Sequence, residues 1–176
     1  ATRAAEPVRR VNPRQPVAKE RPSARIGIVT ALPYEFAAAK VMLDQPREWH
    51  EPGAGAGRRY VAGEIPSLLG GSHSIVLALL CDTGNNLATN RATLMLEHFP
   101  NVKHIIMCGI AGGIPRQRTP EHDVRLGDIV VTDRGGVIQY DFGKDDGKWT
   151  PRPAPRPPGG ALLEGVKYLV AEECIR

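Results

Sequence analysis

The stretch Arg25-Ile26-Gly27-Ile28-Val29-Thr30-Ala31-Leu32-Pro33-Tyr34-Glu35 decides the fold class. Its first half is a short apolar run with β-branched residues, the pattern of a strand buried on both faces. Proline then suits a first helical turn. Phe36, Ala37, Lys40, Val41, Leu43 and Asp44 keep helical spacing up to a stop at Gln45-Pro46. The unit reads as strand, tight turn, helix.

The same order recurs downstream. Arg58 to Gly63 reads as an edge strand, Pro66 to Gly71 as a loop, and His73 to Cys81 as a strongly apolar strand. Asp82-Thr83-Gly84-Asn85-Asn86 is turn chemistry, and Leu87, Arg91, Leu94, Met95 and His98 mark a helix that stops at Phe99-Pro100. A third core strand is expected at His104 to Cys108, and a further one at Leu126 to Asp133. This alternation predicts an α/β fold, a central twisted mixed sheet flanked by helices. Residues 1–24 are expected to be a disordered basic, Pro-rich tail and 25–143 the folded domain. A Pro-rich loop or linker over 144–160 and a helix over 161–176 complete the expected organisation.

Composition supports one core and narrows the function classes. The chain has 176 residues, 41% of them hydrophobic and 24% charged. That length accommodates one domain. The formal charge of +4 is concentrated in residues 1–25, which hold seven basic residues and two acidic ones; the remainder holds 16 basic and 17 acidic. The basic excess is therefore a tail property. No aromatic residues are interleaved there to stack on bases, which argues against nucleic acid as the partner. The longest apolar run, Ile75 to Cys81, is far short of a membrane span, and the N-terminal stretch lacks the apolar segment of a secretory signal. Cys81, Cys108 and Cys174 are too scattered for a disulfide framework or a zinc site, and the histidines show no metal spacing. The expectation is a cytoplasmic protein without metal or cofactor, in which Cys81 and Cys108 are small core residues.

In α/β sheets, ligands collect beyond the carboxyl ends of the strands. Three such ends are unusual here: Ala31 to Glu35, Cys81 to Asn86, and Gly109-Ile110-Ala111-Gly112-Gly113. Glycines in the third let a backbone approach a flat ligand, though they also suit an ordinary turn. Their spacing is not that of a dinucleotide fingerprint, and Pro115 stands where the pyrophosphate-binding helix would begin, which argues against a nicotinamide enzyme. Glu35 falls in the first helical turn, where a carboxylate is favoured ionised. Helix-start decoration and a catalytic base are both open on that pattern.

Taken together, four blocks resemble the purine and uridine phosphorylase superfamily, and within it the methylthioadenosine/S-adenosylhomocysteine nucleosidases. They are Ile26 to Ala31 with Glu35 beyond, Thr83-Gly84 leading into Ala92 to His98, Gly109 to Gly113, and Leu126 to Asp133. Order and spacing across residues 25 to about 143 carry the signal. The resemblance implies hydrolysis of the N-glycosidic bond of a purine nucleoside or nucleotide, with release of free base. On it, Glu35 falls on the glutamate that activates water. Ala111 and Gly112 fall on the loop along the base and sugar, with Ile110 beside them as a further substrate-binding candidate, and Thr83 and Gly84 on a neighbouring strand end that holds phosphate in the phosphorylase branch. Asp128 falls on a recurrent position that fixes a turn. Tyr140 and Phe142 are candidates for a specificity pocket, or an ordinary strand end. A dimer or trimer is the assembly usual in that superfamily.

Two departures accompany the matches. The family commonly has a small hydroxyl residue where this chain has Ile110. It also continues with a ribose-gripping glutamate and a purine-protonating aspartate that have no counterpart in residues 144–176. The expectation is thus a nucleosidase-like domain lacking the C-terminal third. The alternative is a catalytically incomplete nucleoside- or nucleotide-binding sensor or effector module of a larger signalling protein. Arg91, Arg116 and Arg118 are the arginines that could supply a substitute anion site.

Overall fold

The computed structural model describes residues 20–53, 55, 57–114, 124–137, 143–151 and 158–173, divided between a unit within 1–108 and another within 109–176. In the first unit the elements run β1 (Ile26–Thr30), α1 (Pro33–Val41), β2 (Asp44–His50), β3 (Arg59–Pro66), β4 (Ser72–Leu79), α2 (Asn85–His98) and β5 (His104–Met107). They build one five-stranded sheet in the order β2-β3-β4-β1-β5. β1 is parallel to β4 and to β5, whereas β3 is antiparallel to β2 and β4. The expected α/β fold with a mixed sheet is what the chain adopts.

Alternation of side chains along the strands divides the core into two layers. Val29, Tyr60, Val76 and Ala78 pack with Met95 and Phe99 on the α2 face. Ile26, Ile28, Val61, Ile75 and Leu77 pack with Phe36 and Leu43 on the α1 face. Val76, Leu77 and Ala78 are completely buried, so each face of β4 is covered. Burying a valine or leucine side chain contributes about 1.5–3 kcal/mol, and both layers draw on the same strand.

The edge at β2 corrects two expectations. Helix α1 ends at Val41, and Asp44 to His50 forms a strand, which places β3 inside the sheet and β2 at its rim. Gln45 adopts a left-handed φ of 48°, and the β2–β3 register shifts between Asp44 and Arg47. Gln45-Pro46 is therefore a bulge in an edge strand, a position where proline costs no ladder bond. β3 passes closely beneath this rim: a Cβ on Gly63 would lie 2.9 Å from Leu43 Cβ and 3.0 Å from the Asp44 carbonyl oxygen. Gly63→Ala is expected to push β2 outward and to lower stability by about 1–3 kcal/mol, read as a shift in the urea midpoint.

The second unit contains a hairpin of β6 (Gly143–Asp145) and β7 (Trp149–Pro151), and a helix α3 (Gly160–Glu173). The strand expected over Leu126 to Asp133 does not form. Asp128 instead closes a turn, its carboxylate accepting the Arg125 N–H at 2.8 Å. A strand needs a neighbour to satisfy its backbone, and none of the described residues pairs with this segment. The tail expected over 1–24 falls mostly on residues 1–19, outside the described residues. At its end Ala24 is buried and Arg21 pairs with Glu51.

Candidate active site

The carboxyl ends of β4, β1 and β5 lie side by side along one edge of the sheet. The Leu80 N–H donates to the Thr30 carbonyl (2.9 Å) and the Cys108 N–H to the Val29 carbonyl (3.0 Å), extending the ladders by one step. Glu35 sits at this edge, in the first turn of α1. Its Oε2 accepts the N–H groups of Ala31 (3.0 Å) and Leu32 (2.9 Å), so the carboxylate is folded back over the end of β1. This is the glutamate half of a capping box: the helix start orients the group, and the paired N–H donors favour its ionised form.

Thr83 and Gly84 lie at the same edge, beyond β4. The Thr83 N–H donates to Asp82 Oδ1 (2.7 Å), and Gly84 precedes α2 with φ 140°, a backbone open to glycine. Ile110, Ala111 and Gly112 belong to the second unit, where they are exposed and irregular. A Cβ added to Gly112 would meet nothing within 4 Å. Tyr140 and Phe142 lie outside the described residues, as do Arg116 and Arg118. Cys81 and Cys108 are exposed and not core residues. Each sits past the last ladder residue of its strand, at the rim where the layers end.

Beyond the end of β4, a cavity of about 860 Å³ opens toward the β2–β3 hairpin. Phe36, Leu79, Leu80, Leu87 and Leu94 supply its apolar surface; Arg58, Arg59 and Arg91 supply cationic groups and His50 an imidazole. Its described lining contains no carboxylate. Such a volume suits a small organic ligand.

Sequence reading missed the polar assembly behind this cavity. Arg91, only 6% exposed, donates through its guanidinium to the carbonyl oxygens of Gly57 and Arg59 and stacks 4.3 Å above the Tyr60 ring. It is thereby a clasp on the hairpin, not an exposed anion site. Tyr60 hydroxyl lies 2.7 Å from His98 Nδ1, and Tyr60 also meets Phe99 edge to face. Arg91, Met95 and His98 are the buried residues of α2, spaced on one helical face. Near them Glu51, whose side chain is 7% exposed, accepts the Trp49 indole N–H (3.0 Å) and pairs with Arg21.

These groups carry a pH signature. Burial holds the His98 pKa below the ordinary value of 6.5, outweighing the attraction of Glu51. Unprotonated Nδ1 accepts the Tyr60 hydroxyl, and an imidazolium could not. For a group whose folded pKa is depressed, the unfolded chain binds more protons, so stability is complete above about pH 6.5 and declines as pH falls below it. Urea midpoints are expected to drop between pH 7.5 and 5.5, and the slope should flatten in His98→Gln.

Residues 25–170 match the phosphorylase superfamily, and the chain belongs to that family. A nucleotide-binding leucine-rich repeat (NLR)-like protein of Hyaloscypha variabilis is 36% identical over 133 residues, which are 69% of this chain and 12% of that protein. Two solved structures share the fold. One is a Borrelia burgdorferi protein assigned as a 5'-methylthioadenosine/S-adenosylhomocysteine nucleosidase, bound to adenine (20% identity, TM-score 0.56, 84% of this chain and 59% of that one). The other is the S-adenosylhomocysteine nucleosidase of Streptococcus pyogenes in complex with 5-methylthiotubericidin (17% identity, TM-score 0.56, 86% and 58%). The chain thus spans somewhat over half the length of these nucleosidases. Among the described residues, no helix is long and apolar enough to cross a membrane.

Proposed function

We propose that this chain is the water-activating part of an N-glycosyl hydrolase that releases the base from a purine nucleoside or nucleotide. The supporting observation is Glu35, a carboxylate held at the end of β1 by two backbone N–H donors. In the reaction the C1′–N bond breaks with its electron pair leaving on the base, water oxygen bonds to C1′, and the water proton passes to Glu35; the departing base takes a proton from solvent, and Glu35 returns its proton to solvent, which restores the carboxylate. The same negative charge stabilises the ribosyl cation before water attacks. It also repels inorganic phosphate, which favours hydrolysis over phosphorolysis. Thr83 and Gly84 are assigned to substrate binding at the strand end, Ile110, Ala111 and Gly112 to the loop along the base and sugar, and Tyr140 and Phe142 to specificity. The cationic cavity beside β4 supports a substrate bearing an anionic group, and the familial assembly is a dimer or trimer.

The NLR-like relative, of which this chain spans 12%, favours a second reading as a nucleotide-binding effector module within a larger protein. One experiment separates the two. The complete protein is incubated with adenosine and with adenosine 5′-monophosphate, with and without inorganic phosphate, and free adenine is measured by chromatography. Adenine released without phosphate supports the hydrolase; calorimetric binding with no adenine overturns it in favour of the module.

A further inference from the structure

The cavity's cationic wall is tied to the segment that precedes the sheet. Glu51 follows the last residue of β2, and its N–H donates to the Arg58 carbonyl at 2.8 Å, closing the connection that carries Gly55, Gly57 and Arg58 along the cavity. The Glu51 carboxylate is nearly inaccessible and is shared between the Trp49 indole and the Arg21 guanidinium. Arg21 comes from outside the sheet, four residues before Arg25, and its own side chain is half exposed. Burial works against an ionised Glu51, but the indole, the guanidinium and the field of His98 outweigh it and hold the carboxyl below its ordinary value. Removing Arg21 would leave a buried carboxylate short of a charged partner, a costly state that is relieved by moving the group toward water.

We propose that Arg21 is a positioning residue for the cavity. Its ion pair fixes Glu51, Glu51 fixes Arg58 and the glycines before it, and the segment leading into the domain thereby sets how well the cavity holds an anionic ligand. The coupling runs through two contiguous contacts within one unit, Arg21 to Glu51 and Glu51 to Arg58, and Arg58 is itself part of the cavity lining. Arg91 grips the same connection from α2 at Gly57 and Arg59, so loss of Arg21 should loosen one end of it without unfolding the sheet.

The ligand-binding part of this inference rests on the cavity being a nucleotide site, and the test keeps the two apart. Amide hydrogen exchange at Glu51 and urea stability are measured on the full chain, with calorimetric binding of adenosine 5′-monophosphate alongside. Arg21→Ala is expected to speed exchange of the Glu51 amide by about tenfold, the scale of a lost charge-assisted hydrogen bond. It should weaken nucleotide binding several-fold and lower the urea midpoint modestly without abolishing the cooperative transition, and Arg21→Lys should restore part of both. Glu51→Gln should reproduce the exchange effect. Unchanged Glu51 exchange in Arg21→Ala overturns the proposal whatever the nucleotide does. Faster exchange with unaltered affinity overturns its link to the cavity. Should the parent chain bind no nucleotide, the reading of the cavity as a nucleotide site fails, and the exchange result alone decides the positioning role.

Discussion

Glu35→Gln is expected to lower base release by about 10²- to 10⁴-fold, the range in which a positioned general base contributes. The substitution keeps an acceptor oxygen for the Ala31 and Leu32 N–H groups, so the start of α1 should hold. What it removes is the negative charge and the capacity to take a proton from water. Glu35→Ala supplies the control, since it deletes the acceptor as well and should cost about 1 kcal/mol of stability through the orphaned N–H groups. Chromatographic assay of free adenine, set against urea midpoints for both variants, separates chemistry from capping. A glutamine variant with undiminished release would leave Glu35 as a helix-start residue alone.

Arg91→Met is expected to be the most destabilising single change, by about 3 kcal/mol. Methionine can fill the volume over Tyr60, but it leaves the Gly57 and Arg59 carbonyls without their donor at a part-buried contact, and losing two hydrogen bonds from a charged donor there costs about 1.5–3 kcal/mol each at most. The stacking of the cation on Tyr60 is lost too, roughly 0.5–2 kcal/mol more, partly offset by relief from desolvating a guanidinium. Arg91→Lys should recover little, because a compact ammonium cannot span two carbonyls while lying flat on a ring. Chemical denaturation gives the magnitude. A variant within 1 kcal/mol of the parent protein would show that the hairpin does not depend on the clasp.

How far these features could be read beforehand follows from where each residue spends its side chain. β1 and β4 are legible because both faces of the sheet are covered there, so their sequences are nearly continuous apolar runs, and β5 is legible by the same apolar composition although its last residues are exposed. β2 is not, since Asp44 to His50 is charged, exposed but for Trp49, and carries a proline that imitates a helix stop. Leu126 to Asp133 has the composition of a strand yet finds no partner among the described residues, which shows that β propensity is a statement about neighbours as much as about residues. Glu35 was legible as a helix-start residue, and the two hydrogen bonds that define that role are the ones that aim it at the strand ends. Arg91 was not, because an arginine in a helix ordinarily faces solvent; only the carbonyls of a hairpin distant in sequence make its burial tolerable.

The two rims of the five-stranded sheet differ in kind. At β2 the bulge at Gln45, the proline after it and a charged outer row block addition of another strand. At β5 the ladder ends on four residues, with Ile106 and Met107 exposed and no strand paired outside them among the described residues. Such a sheet has a direction of growth. Strands can be appended outside β5 while the Arg91 clasp on the far side of the sheet keeps its geometry, so insertions engineered there should be tolerated where the same changes at β2 would not.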